Sequence, residues 1–260
     1  MLQMINSQTL DPAIDVDSDF SPDGYRRLMQ KIRQQGYQFC DLQTAENGHL
    51  AASHHIFLRH DIDINLESAF QIARIEFEMG IRSTYFICVR SPFYNPFSAT
   101  NRQFIHNIHE LGHCIAPHVV FDADVCFFET LNSDIITLSA HYPFVNKELV
   151  SVHSPANFEC VMDMLHIPGI AKVYAPIADG AVKYISDSGG RWRNGGLLHS
   201  AAFLQKKNIQ LLTHPIWWTL TGEQPKDKIQ NLLRKKSILV NPEHRKFLPK
   251  LFARLEKSGS

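Results

Sequence analysis

Two aspartates, Asp61 and Asp63, stand one residue apart just after a short apolar run, Ile56-Phe57-Leu58. In an extended chain residues i and i+2 point the same way, so both carboxylates share one face. Two like charges that close call for a cation between or beside them. Capping the helix that begins near Leu66 would use one carboxylate; a pair is more than a cap requires. His118 closes a second apolar run, in Gly112-His113-Cys114-Ile115-Ala116-Pro117-His118. A carboxylate with an imidazole nitrogen suits zinc or a similar divalent ion. His113, beside a helix C-terminus, reads as structural. The third ligand is left between two residues: Asp122, four positions after His118, and His153, which ends another strand in Val152-His153-Ser154-Pro155.

Acid–base chemistry has its own candidates. His214, in Thr213-His214-Pro215-Ile216-Trp217-Trp218, follows a β-run and is walled by aromatics, a setting for a general acid tuned by burial. Asp187, in Ser186-Asp187-Ser188-Gly189-Gly190-Arg191-Trp192, is placed to orient that imidazole through a carboxylate–histidine hydrogen bond. Tyr94 and Asn95, in the Pro-bounded loop Pro92-Phe93-Tyr94-Asn95-Pro96, are candidate substrate contacts together with Trp192 and Trp217. None of the five cysteines sits in a Cys/His nucleophile motif.

These residues need elements to hold them. Apolar runs rich in β-formers alternate with helical patterns, which is an α/β architecture. Helices are expected from Ser21 to about Gly36, Leu66 to Met79, Ser98 to Leu111, Phe127 to Leu138, Gly196 to Lys207 and Lys226 to Lys235. A last amphipathic helix is expected within 241–257. Strands are expected at Ile56–Asp63, Thr84–Val89, Cys114–Val120, Leu149–His153, Lys172–Tyr174, Lys183–Ser186 and Gln210–Thr213. The chemistry-bearing residues fall at the C-terminal ends of these strands, the edge where α/β folds build active sites.

Nothing marks a domain boundary, so residues 1–260 read as one domain, with 1–20 flexible or peripheral. Hydrophobic residues make up 44% of the chain, enough for a sizeable core. Lys+Arg and Asp+Glu both number 26, a formal net charge of zero. That argues against electrostatic binding to nucleic acid or an anionic membrane. No stretch approaches the roughly 18–20 apolar residues of a membrane span. The N-terminal stretch has no signal-peptide pattern, and five widely spaced cysteines read as buried free thiols, so the expected compartment is the cytoplasm.

Arg59-His60-Asp61-Ile62-Asp63, the run from Gly112 to His118, "SVHSPANF", "YISDSGGRWR" and "LLTHPIWW", in that order, resemble the polysaccharide deacetylase family. That family is carbohydrate esterase family four, and the H-D-x-D spacing is similar to one group of its relatives. The resemblance implies a distorted (β/α) barrel of about seven strands, fewer than a full eight. It also implies a divalent metal, most simply Zn2+, and removal of an acetyl or formyl group from an amide nitrogen of a sugar or sugar precursor. Asp61 then looks like the general base, Asp63 and His118 like metal ligands, and Asp187 with His214 like the paired carboxylate and general acid. The family's second metal histidine is replaced here by Asp122. The motif that supplies an arginine to tether the base reads His153-Ser154-Pro155, and Arg59 is the residue that could stand in. Two other readings keep these residues: hydrolysis of a linear or cyclic amide that is not a carbohydrate, and a catalytically silent barrel that binds a glycan or a partner protein.

Overall fold

The computed structural model describes residues 18–43, 54–120, 127–153, 163–192 and 195–235, with 249, 252 and 253. The first helix, α1 (Pro22–Gln34), starts where the Ser21 hydroxyl accepts from Gly24 N at 2.9 Å and Pro22 supplies a preset φ. It buries Tyr25, Leu28, Met29 and Ile32, one apolar stripe. A short strand β1 (Gln38–Cys40) leads to β2 (His55–Ile62), all eight of whose residues are buried. The chain then alternates: α2 (Leu66–Glu78), β3 (Thr84–Cys88), α3 (Ala99–Glu110), β4 (Cys114–Val120), α4 (Phe127–His141), β5 (Ser151–His153) and α5 (Pro168–Ala178). It continues with β6 (Lys183–Ser186), α6 (Ala201–Leu204), β7 (Ile209–Thr213), α7 (Pro215–Thr219) and α8 (Pro225–Lys235). No described helix is long and apolar enough to cross a membrane.

Every strand pairing is parallel, in the order β5-β4-β3-β2-β7-β6, with β1 beside β2. β1 takes the first residues of β2, His55–Phe57, and β3 takes Arg59–Ile62 farther along. The sheet is strongly curled. Three strand spacings separate β2 from β5, about 14 Å in a flat sheet at roughly 4.8 Å each. Yet the short side chains of Asp61 on β2 and Ser151 on β5 meet at 3.1 Å. The result is an incomplete barrel, with β5 and β6 as its edges among the described residues.

Alternation along β2 sorts its side chains. Ile56, Leu58 and Ile62 turn outward onto helices, joining buried clusters with Tyr25, Leu28 and Ile72 or with Leu66, Ala69 and Tyr85. Phe57, Arg59 and Asp61 turn inward, where Phe57 packs with Phe86, Ala116 and Tyr174.

Two expectations need correcting, and one strand was not expected. Lys172–Tyr174 lies inside α5, because Pro168 opens a helix whose buried residues Ile170, Val173 and Tyr174 keep helical spacing. The strand β1 has only three residues, too few to give a period, and was not expected. The helix expected from Gly196 to Lys207 is only Ala201–Leu204: Gly195 and Gly196 have φ of +86° and +91°, and Ser200 caps afresh onto Phe203 N. The helix expected within 241–257 lies almost wholly outside the described residues.

Candidate active site

Asp61 ends β2 and Asp63 follows it; His118 lies in β4, His153 ends β5, Asp187 follows β6 and His214 follows β7. Curling brings these strand ends into one cleft. Asp63 Oδ1 lies 3.1 Å from His118 Nε2 and 3.0 Å from His153 Nδ1, and the two imidazole nitrogens are 3.1 Å apart. Burial would raise the Asp63 carboxyl, but His153 and His118 outweigh it and hold it well below the usual carboxylate range. The Asp63 charge in turn raises His153 above an ordinary imidazole, against the cost of burial. The turn that presents Asp63 is braced by its neighbours. Ser91 Oγ donates to Asp63 O at 2.6 Å, and the Tyr94 hydroxyl donates to Ile62 O at 2.7 Å while accepting from Cys88 N at 3.0 Å.

This triangle fits a divalent cation. One carboxylate oxygen and two imidazole nitrogens converge within 4.8 Å of one another. Ligand atoms around tetrahedral zinc stand about 3.3 Å apart for bonds of about 2.0–2.1 Å, close to the spacing here. Of the two residues weighed for the third position, His153 joins the cluster, and Asp122 lies outside the described residues.

Asp61 is held on the other side of His118, its Oδ2 3.9 Å from His118 Nδ1. Arg59 Nη2 donates to both Asp61 oxygens, at 3.1 and 2.8 Å, and to Ser151 Oγ at 2.6 Å. Its Nη1 donates to Gln210 Oε1 at 3.2 Å, and the guanidinium lies 5.0 and 5.3 Å from the ring centres of Phe86 and Tyr174. Arg59 is 1% and Asp61 5% exposed, so the pair meets in a medium that screens it little. Burial opposes the Asp61 charge, but Arg59, with His118 and His214, outweighs it and the carboxyl titrates below its ordinary value. The arginine that holds Asp61 thus comes from the same strand, two residues upstream.

The third group is Asp187 with His214. Asp187 is fully buried and accepts from His214 N at 3.0 and 3.1 Å, from Trp218 Nε1 at 2.8 Å and from His214 Nδ1 at 2.6 Å. Burial works against a charged imidazole, yet the Asp187 carboxylate, with Asp63 and Asp61 beyond it, lifts His214 to about 9. With Nδ1 committed to Asp187, His214 turns Nε2 to the cleft, 3.8 Å from Asp63 Oδ2.

The candidate substrate contacts fare differently. Tyr94 is engaged in bracing strand ends, and the Asn95 side chain accepts from Phe97 N at 2.9 Å in the loop before α3. Trp217 is 4% exposed in the core. Trp192 packs at a tilt against Phe20 and Trp218 and lines a cavity of about 410 Å³ with Gly190, Arg191 and Pro225. His60, although next to Asp61, faces the other way and bonds Glu76 and Thr213 outside the barrel. His113 is structural, but it bonds Ala73 O and Ser83 beneath α2 rather than capping α3. Ser151, Tyr174 and Gln210 escaped the sequence reading. The signal for Ser151 was there: two residues before His153 on one strand, it faces the same way.

No protein-family model and no curated protein matches the chain. The structure of a family 4 carbohydrate esterase from Bacillus anthracis is similar over 70% of this chain and 76% of that one, at 14% identity and a TM-score of 0.36. A likeness at that level carries no functional argument, which falls to the site itself.

Proposed function

We propose that the protein is a metal-dependent hydrolase that removes an acyl group, acetyl or formyl, from an amide nitrogen of a sugar or sugar-precursor substrate. The observation that carries this reading is the flanking of one three-donor cluster by two differently tuned groups: Asp61, ionised and clamped by Arg59, and His214, held by Asp187. Asp63, His118 and His153 would hold the ion, for which Zn2+ suits the nitrogen and carboxylate donors. When bound, such an ion polarises an acyl carbonyl and lowers the pKa of water at the site.

Asp61 cannot stray, because Arg59 and Ser151 fix both its oxygens, so it is ready to take a proton from the attacking water. His214 keeps its Nδ1 on Asp187 and offers Nε2–H to the leaving amine, on the other side of Asp63 from the Asp61 clamp. A base and an acid of separated pKa on two sides of one site suit amide cleavage, where the nucleophile loses a proton and the leaving group gains one. The sugar-like substrate rests on the sequence resemblance. A catalytically silent barrel would have no need of such a matched base and acid.

The test is metal content after purification without chelator, for wild type, Asp63→Ala and His118→Ala, followed by assay of acetylated and formylated amino sugars. Near-stoichiometric zinc in wild type, its loss in both variants and release of acetate or formate by wild type are expected. A wild type that takes up no zinc, cobalt or nickel would sink the hydrolase reading.

A further inference from the structure

Ser151 is fully buried at the start of β5, two residues ahead of His153. Its Oγ lies 2.6 Å from Arg59 Nη2, 3.0 Å from His118 Nδ1 and 3.1 Å from Asp61 Oδ2. The Tyr174 hydroxyl, at 3.4 Å, is too long to compete with these three. A hydroxyl has one proton to give and two lone pairs to receive. The guanidinium of Arg59 can only donate. Asp61, both of whose oxygens take hydrogen bonds from Arg59 Nη2, stands as an acceptor. The single Ser151 proton therefore goes to Asp61, and one lone pair receives Arg59. What remains for His118 is the second lone pair, so its Nδ1 must carry a hydrogen. The reverse arrangement, with Ser151 donating to His118, would set the Ser151 and Asp61 oxygens face to face at 3.1 Å with no proton between them.

We propose that Ser151 is a positioning residue that keeps a hydrogen on His118 Nδ1, so that Nε2, 3.1 Å from Asp63 Oδ1, is the nitrogen left to exchange its contact with Asp63 for the cation beside Asp63 and His153. The inference rests on the reading of those three residues as a cation site. It makes the Arg59–Asp61 pair and the ligand His118 parts of one hydrogen-bonded chain, with Ser151 as the link. A hydroxyl that merely filled space could be lost without changing whether His118 Nδ1 carries a hydrogen.

The experiment uses the full chain and zinc alone as probe. Zinc affinity is measured against a competing chelator for wild type and Ser151→Ala, and the protonation of each His118 nitrogen is read by long-range 1H–15N correlation in the metal-free proteins. Wild type should show hydrogen on Nδ1, Ser151→Ala should lose that preference, and its zinc affinity should fall about 10–100-fold, as for other residues that orient a metal-bound histidine. Ser151→Thr, which keeps the hydroxyl, should restore the Nδ1–H. Zinc affinity and tautomer both unchanged in Ser151→Ala would overturn the inference while leaving the metal site standing. If wild type takes no zinc, the metal reading fails, and the tautomer still decides the role of Ser151. If Ser151→Ala does not fold, a wild-type His118 without hydrogen on Nδ1 overturns the inference, and one with it upholds the bonding pattern.

Discussion

A carboxylate with no exposure survives only where donors surround it, and Asp187 has three groups doing so: the His214 backbone N–H, its ring Nδ1 and the indole of Trp218. Asp187→Asn keeps the volume but swaps one acceptor oxygen for an N–H group and removes the charge that orients His214. The expected result is a fall in kcat of about 10²–10⁴-fold, the usual range for losing a positioned acid, with zinc affinity unchanged, since Asp187 does not touch the three-donor cluster. Steady-state kinetics beside a zinc titration checks both halves. Arg59→Met asks a different question, because it leaves the Asp61 charge buried without its partner. A cost of about 3–5 kcal/mol in unfolding free energy is expected from urea titration, the range for breaking one side of a buried pair. At this scale the residues that meet in the candidate site were legible from their types and their place after apolar runs. Their tethers were harder to see: Ser151 reaches Asp61 only because the sheet curls, and no local pattern in Val150-Ser151-Val152-His153 records a partner three strands away.

Between the sheet and α2 lies a second polar cluster that never reaches the cleft. Glu76, fully buried, accepts from Tyr25 OH at 2.5 Å, Ser83 Oγ at 2.7 Å and Tyr85 OH at 2.8 Å, and meets His60 Nε2 at 2.8 Å with His113 Nδ1 at 3.6 Å. It ties α1, α2, β2 and β3 to one carboxylate, and His60 extends the tie to Thr213 on β7 at 2.8 Å. The residues next in sequence to His60 and Thr213 are Asp61 and His214, so this cluster anchors the strands that present them. Burial opposes the Glu76 charge, but His60 and the surrounding donors outweigh it and bring the carboxyl down to about 2. A carboxyl depressed in the folded state stabilises the fold above its ordinary value and loses that effect as pH falls through the folded one. From about 4.5 to about 2, Glu76 should therefore cost the protein about 3 kcal/mol at about 1.4 kcal/mol per unit. His113, lowered by burial, works in the same direction from higher pH, because the unfolded chain takes up its proton first. Glu76→Gln turns an N–H group toward hydroxyls that need an acceptor, so a loss of about 2–4 kcal/mol is expected at neutral pH, with a flatter acid limb in unfolding followed by circular dichroism. α1 and α3 could be read because cap and period agree, at Ser21 and Ser98, whereas α2 is capped by Asn65, which accepts from Glu67 N, and not by either nearby aspartate. The segment at α5 was misread because three residues, Lys172-Val173-Tyr174, suit a strand when the Pro168 start is overlooked.

The described residues form an open barrel, and the cluster of donors spans from its edge strand β5 to its centre. β5 is an edge strand of three residues among the described residues, supported by β4 and by Val150 N donating to Gly169 O in the first turn of α5. β2 is the buried middle strand. Asp63 follows β2, His118 belongs to β4 and His153 closes β5, so a cation held by all three would join the edge to the centre. The unfolded chain scatters these residues over ninety positions of sequence and holds no such site, so binding energy adds to folding energy. At a free zinc concentration 100 times its Kd, the gain is about 2.7 kcal/mol, which for a domain of this size raises Tm by about 5–10 °C. Calorimetry should show that rise in wild type, its reversal by chelator and its absence in Asp63→Ala. Hydrogen exchange should locate the added protection at Ser151–His153, the edge strand among the described residues that such a cation would tie to β2 and β4. A rise of equal size in Asp63→Ala would mean that zinc stabilises the protein from some other place, and the edge strand would then be held by protein contacts alone.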